Sequence, residues 1–166
     1  MGPDDVEAKL VEIRAILEER FDTRPMDARS IAFDFAAGPI PLPCYCELNP
    51  DMQGFIFRGI FALRFPREVR AVAAEYIHRV NYALPIGNWA IDLDSGDVRW
   101  KLGVYFGDGE LSADLIRGVL DSSLYFIYQH IFGLVKIHNG KSLEEALASI
   151  GEDHGVGAFP RRQREA

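Results

Sequence analysis

The chain is short of cysteine, of basic charge and of long apolar runs, and each shortage excludes a class of protein. Its two cysteines, Cys44 and Cys46, stand two residues apart. That is no disulfide framework. A structural zinc site needs four ligands, and no second Cys or His pair is spaced to complete one. Lys and Arg number 18 against 25 Asp and Glu, for a net charge of −7. Such a balance repels phosphate backbones and anionic lipid, so neither nucleic acid nor membrane is expected as a partner. The one basic cluster, "PRRQRE" near the C-terminus, is short. No apolar run reaches the roughly 18 residues of a membrane span. No basic stretch followed by an apolar one opens the sequence, and the expected address is cytoplasmic.

The motifs of chemistry are missing too. The sequence has no G-x-S-x-G, no Walker A loop and no H-E-x-x-H, and no G-x-G-x-x-G follows a strand. His78, His130, His138 and His154 form no i, i+4 pair. Ser122 and Ser123 have no base placed by motif. The acidity of "IDLDSGDV" around Asp92 and Asp94 invites a calcium loop. However, Gly96, Asp97 and Gly103 occupy slots that need Asp or Asn, Gly and Glu. No catalytic, cofactor-binding or metal-binding residue is assigned, and the chain is not expected to be an enzyme.

What remains is a chain of 166 residues, 48% hydrophobic. That length buries roughly 70% of its unfolded surface without a staple. Residues 1–150 read as one domain. Residues 151–166, with three acids and three arginines, read as a loose charged tail.

"DDVEAKLVEIRAILEERF" has Val6, Leu10, Ile13, Leu17 and Phe21 on one helical stripe, with Asp4 as the expected cap. "SIAFDFAAG" alternates as a strand, with Ile31, Phe33 and Phe35 on one face. "GPIPLPCYCELNPD" puts Ile40, Leu42, Cys44, Cys46 and Leu48 on one face. Pro39, Pro41 and Pro43 lack the donor a ladder needs. The segment is therefore an edge strand, or a polyproline lead-in to a strand at Cys44 to Leu48. "GFIFRGIFALRF" alternates from Phe55 through Phe61, Leu63 and Phe65, with Gly59 as a gap and a wetter opposite face. Pro66 suits the start of a helix whose stripe runs Val69, Val72, Ala73, Tyr76, Ile77, Val80 and Leu84.

"LPIGNWAIDLDSGDVRW" then reads as a hairpin. With Ser95-Gly96 at a two-residue tip, Leu93 faces Val98, Ile91 faces Trp100, Trp89 faces Leu102, and Asp92 pairs with Arg99. Its acids are turn chemistry. The longest helix follows, capped by Ser112, with Ile116, Leu120, Leu124, Ile127, Ile131 and Leu134 as its core stripe. A short helix in "KSLEEALASI" opens with a Ser142–Glu145 capping box. The fold class is α+β: a five-stranded antiparallel sheet packed with helices, in the order α-β-β-β-α-β-β-α plus a short C-terminal helix.

The stretches "NYALPIGNWAIDLDSGDVRWKL", "LSADLIRGVLDSSL" and "KSLEEAL" resemble the YbjN-like family of bacterial proteins, over roughly residues 28 to 148. The resemblance implies a fold like that of the class I chaperones of type III secretion. Those are small, acidic, dimeric cytosolic proteins that hold partner polypeptides. The family is described as regulatory in sensory transduction, and no enzyme activity or catalytic residue comes with it. The proline-alternating strand and the charged tail depart from the pattern.

These readings lead to a non-enzymatic protein-binding module, chaperone-like or regulatory, that forms a homodimer. The alternative is a small-molecule sensor, or an enzyme of unrecognised type, using a pocket between the sheet and the long helix. The candidate partner or dimer face is the second apolar stripe of the long helix, Tyr125, Tyr128, Phe132 and Val135. One stripe suffices to cover a sheet, and a bare second stripe is a patch that soluble monomers rarely carry.

Overall fold

A computed structural model describes residues 2–152. Three helices pack on one six-stranded antiparallel sheet of order β1-β2-β3-β4-β6-β5, and a fourth packs on two of them. The α+β class stands, with one strand more than the five expected. The added strand is β1, Thr23–Asp27. Four of its five residues are exposed, so it has no apolar alternation to betray it. It lies at the sheet edge, where Pro25 is tolerated. Residues 153–166, most of the expected tail, lie outside the described residues.

Helix α1, Pro3–Glu18, starts earlier than expected: Gly2 is its N-cap, and Asp4 is already helical. Gly2 N–H donates to the Asp5 carboxylate at 2.9 Å. Val6, Ile13 and Leu17 are buried as the stripe requires.

Strands β2, Ser30–Ala37, and β3, Ile40–Asn49, pair from Ala37–Ile40 to Ser30–Glu47. Of the two expectations for β3, the edge position holds only before Cys44, and from there the strand is internal. β3 is flanked on its second side by β4, Gly54–Ile60, but only from Cys44 to Asn49. Pro41 and Pro43 stand in the half of β3 that has no second neighbour, so their missing donors cost no ladder bond there. Gly59 is the gap that lets the long helix descend. A Cβ there would meet Leu42 Cδ2 at 2.8 Å and Ile127 Cδ1 at 3.1 Å.

The chain leaves β4 after Ile60. Phe61 and Phe65 are buried, but Leu63 is 52% exposed, contrary to the extended alternation. Pro66 caps a 3-10 turn, Arg67–Val69, and only then does α2, Arg70–Ala83, begin.

Strands β5, Asn88–Ile91, and β6, Val98–Tyr105, form the hairpin, but in another register. Trp89 opposes Trp100, Ile91 opposes Val98, and Arg99 opposes Ala90. The tip is longer than two residues. Asp92 N–H donates to Asp97 O at 2.9 Å, and Gly96 N–H to Asp92 O at 2.7 Å, closing a four-residue loop over Leu93–Gly96. A shift of two keeps the same face inward. Trp89, Val98, Trp100 and Leu102 are buried as expected, while Leu93 moves into solvent at 58% exposure and the Asp92–Arg99 pair is lost.

The cause of the longer loop is local. Asp92 Oδ1 accepts the amides of Asp94 and Ser95 at 2.9 and 3.3 Å, and Ser95 Oγ accepts that of Asp97 at 3.1 Å. These backbone bonds hold the Asp92 carboxyl below its ordinary pKa. Arg70, at the head of α2, donates to Phe65 O, Leu93 O, Asp94 O and Ser95 O at 2.7–3.2 Å. Gly96 adopts φ +81° with no room for a Cβ against Phe65 O. Only glycine meets both demands.

Helix α3, Ala113–His138, is the spine of the fold. Its Ser112 cap accepts Leu115 N–H at 3.2 Å. Its core stripe, Ile116 to Leu134, is buried to 2% exposure or less. The space between sheet and long helix is filled by these side chains. α1 packs along α3 through Arg20–Asp121 at 2.5 Å and an Arg117–Glu19 pair. α2 crosses at Gly133, where Tyr76 takes the missing side chain's place and donates to His130 O at 2.9 Å. α4, Leu143–Ala148, carries the Ser142–Glu145 capping box and packs on α2 and α3. No helix among the described residues is long and apolar enough to cross a membrane.

Candidate functional site: the uncovered face of the sheet

The main helix–sheet contacts among the described residues are α1 on β1 and β2, α3 on β2, β4 and β6, and α2 on β5, all over the buried face of the sheet. Strand alternation then decides what points away. Residues 31, 33, 42, 44, 46, 48, 55, 57, 89, 98, 100 and 102 are buried under the helices. Their neighbours face the other way. Register aligns these neighbours into a row across all six strands: Arg24, Ala32, Tyr45, Arg58, Lys101 and Asn88. Beside it, Glu47, Ile56 and Gly103 form a second row, and Ile60, Arg99 and Ala90 a third.

The centre is pre-arranged. Arg58 Nη1 donates to Glu47 Oε2 at 2.6 Å, and its guanidinium lies 5.7 Å from the Tyr45 ring centroid. Both ion-pair members are largely covered, at 20% and 28% exposure. A planar guanidinium held by a carboxylate and an aromatic face has little rotamer freedom left to lose on binding. At the far edge, Arg24 grips Asp34 with two bonds, 2.9 and 3.2 Å. Arg99 and Lys101 are exposed and make no ion pair among the described residues.

Two concavities flank the Tyr45–Glu47–Arg58 ridge. One, of about 530 Å3, lies over Ile56, Arg58, Asn88, Lys101, Gly103 and Tyr105. The other, of about 520 Å3, lies over Met26, Arg29, Ser30, Tyr45 and Glu47. A third, of about 650 Å3, sits off this face between α1 and the turns at Ala28 and Pro50. None of these three lies between the sheet and α3. The face can recognise carboxylates through its cations, amides through Asn88, and flat apolar groups through its tyrosines.

The residues weighed from sequence sit elsewhere. Tyr125 is 49% exposed and stacks edge-on against Phe126. Tyr128, Phe132 and Val135 are half-buried against the chain's own core, with the Tyr128 and Phe132 rings T-shaped at 5.5 Å. The expected stripe is thus divided, three members working inside the fold. Cys44 and Cys46 lie on the helix side of β3, and burial pushes both thiols far above their ordinary pKa. His130 is buried, with Nδ1 2.7 Å from Phe126 O. Burial lowers its pKa, opposed by that bond. His138 Nε2 meets Arg64 O, and Ser123 is fully buried. Among the described residues no three His, Cys, Asp or Glu side chains gather as a metal site would require. The cationic row escaped motif reading because it has no linear signature. Its signal was the alternation of "VRWKLGVY", which sets Arg99 and Lys101 opposite Trp100 and Leu102.

The chain matches no family model, no curated protein and no solved structure.

Proposed function

We propose that the chain is a non-catalytic protein-binding module of the bacterial cytosol, chaperone-like or regulatory, as the resemblance to YbjN-like proteins implies. The observation that supports this reading is the one-sided packing. Helices α1, α2 and α3 cover one face of the sheet and leave the other without a helix, with an ordered cation–aromatic row at its centre. A face of that kind suits a broad partner surface better than an enclosed ligand, because small-molecule sites are mostly concave and apolar. A homodimer belongs to the same reading, with Tyr125 as the exposed member of its face. Tyr128 is partly buried against the core, so Tyr128→Glu divides the readings: a folded monomer in analytical ultracentrifugation supports the dimer face, and unfolding returns the residue to the core.

The test is affinity capture of the full chain from native extract, with proteins and small molecules both read by mass spectrometry. A protein recovered in stoichiometric amount supports the module. The second reading, a small-molecule sensor, draws on the concavity of about 530 Å3 over Gly103. A metabolite recovered in place of a protein moves the function to that reading.

A further inference from the structure

We propose that the uncovered face over β4 and β6 docks an acidic segment of a partner polypeptide, seated on Arg58, Arg99 and Lys101. The proposal rests on the reading of the chain as a protein-binding module and supplies the partner's chemistry.

The first observation is charge. The chain as a whole carries −7, yet this face gathers cations. Glu47 neutralises Arg58. Arg99 and Lys101 project from the same side of β6 with no ion-pair partner among the described residues. Two positions apart on a strand is about 7 Å. Like charges that close repel, and carboxylates laid along the strand relieve the repulsion.

The second observation is shape. Gly103 continues the line of Arg99 and Lys101 on β6, yet packing does not require glycine there. A Cβ would find Ile56 Cγ1 at 3.5 Å, an ordinary contact, and Gly103 has no left-handed φ. Glycine inside a strand weakens it and marks a place where another backbone comes close. The concavity of about 530 Å3 lies over that position. Ile56 and the exposed Tyr105 supply apolar contact beside the cations. A segment alternating carboxylate and apolar side chains fits these features. Nucleic acid fits less well, because the −7 of the whole chain opposes a polyanion longer than the patch.

The test uses the full chain and a fluorescent ten-residue peptide alternating Glu and Val. The references are its Lys–Val counterpart and a single-stranded oligonucleotide. Arg99→Glu/Lys101→Glu and Gly103→Val are compared with wild type after melting curves confirm that each is folded. The acidic peptide should bind and weaken as salt rises. The double charge reversal should weaken it by about tenfold or more, the equivalent of one lost exposed charge contact at each site. Gly103→Val should weaken it without lowering the melting temperature. Equal binding of the acidic and basic peptides, preference for the oligonucleotide, or indifference to all the substitutions overturns the proposal. Self-association that disappears in the same variants overturns it by giving the face to a second copy. If a protein captured from extract stays bound to the charge-reversed chain, the acidic segment is wrong and the binding module stands. If neither protein nor peptide binds, both fall.

Discussion

Arg70 and Asp92 between them shape the loop from Asp92 to Asp97. One side chain collects four carbonyls and the other collects two amides, so the backbone polar groups of an exposed turn are paired on both sides. In the acidic run that first looks like a cation site, the Asp92 carboxylate is spent on the loop backbone and that of Asp97 on Arg64. Nearby, Trp100 is sandwiched by Trp89, edge-on at 5.6 Å, and Phe126, stacked at 6.2 Å. Trp100→Ala should cost about 3–5 kcal/mol in chemical denaturation, the range for a buried large aromatic. A loss under about 1 kcal/mol contradicts this packing. His130 sets a pH dependence. Its folded pKa lies below the ordinary 6.5, chiefly through burial. Below pH 6.5 the unfolded chain therefore takes up this proton first, and stability falls as pH falls toward the folded value. His130→Asn should flatten the stability profile as pH falls below 6.5. A profile of unchanged slope in that window contradicts the assignment.

At the scale of elements, β5 shows how a free edge is managed. Asp92 and Asp97 form a hydrogen-bonded pair, so by alternation the Trp89–Trp100 pair is not one. The amide and carbonyl of Trp89 point to the open edge. There Asn81 of α2 receives them, Oδ1 accepting Trp89 N–H at 2.9 Å and Nδ2 donating to Trp89 O at 2.8 Å. One side chain acts as a seventh strand a single residue long and blunts the edge against pairing. Asn81→Ala should cost about 1–3 kcal/mol, the desolvation of groups left unpaired. A neutral substitution would show that water reaches these groups instead. Elements with a strong period were legible from sequence: the stripes of α1, α2 and α3, and the caps at Ser112 and Ser142. β1 was not, because an exposed edge strand containing Pro25 has no period. The hairpin register was not, because a shift of two keeps Trp89, Val98, Trp100 and Leu102 inward, and the Asp92, Ser95 and Arg70 bonds with the positive φ of Gly96 set the longer loop.

At the scale of the whole molecule, the sequence pattern reveals which side chains enter the core and leaves open what covers them. Apolar excess on α3 pointed to a bare helix face; Tyr128, Phe132 and Val135 are partly buried against the chain's own core, and Tyr125 is exposed. The surface without a helix lies on the opposite side, on the sheet. It was illegible because its rows join residues from six strands, and registers are tertiary facts. Sparse lysine makes this surface directly testable, since the chain has only Lys9, Lys101, Lys136 and Lys141. Lys101 stands on the open face. Lys141, 58% exposed at the far end of α3, serves as a reference. The measurement is lysine acetylation in native extract, read by mass spectrometry, beside the same reaction in buffer and in extract filtered free of macromolecules. Lys101 should be protected relative to Lys141 in whole extract only. Equal labelling of both lysines in all three conditions would contradict the account.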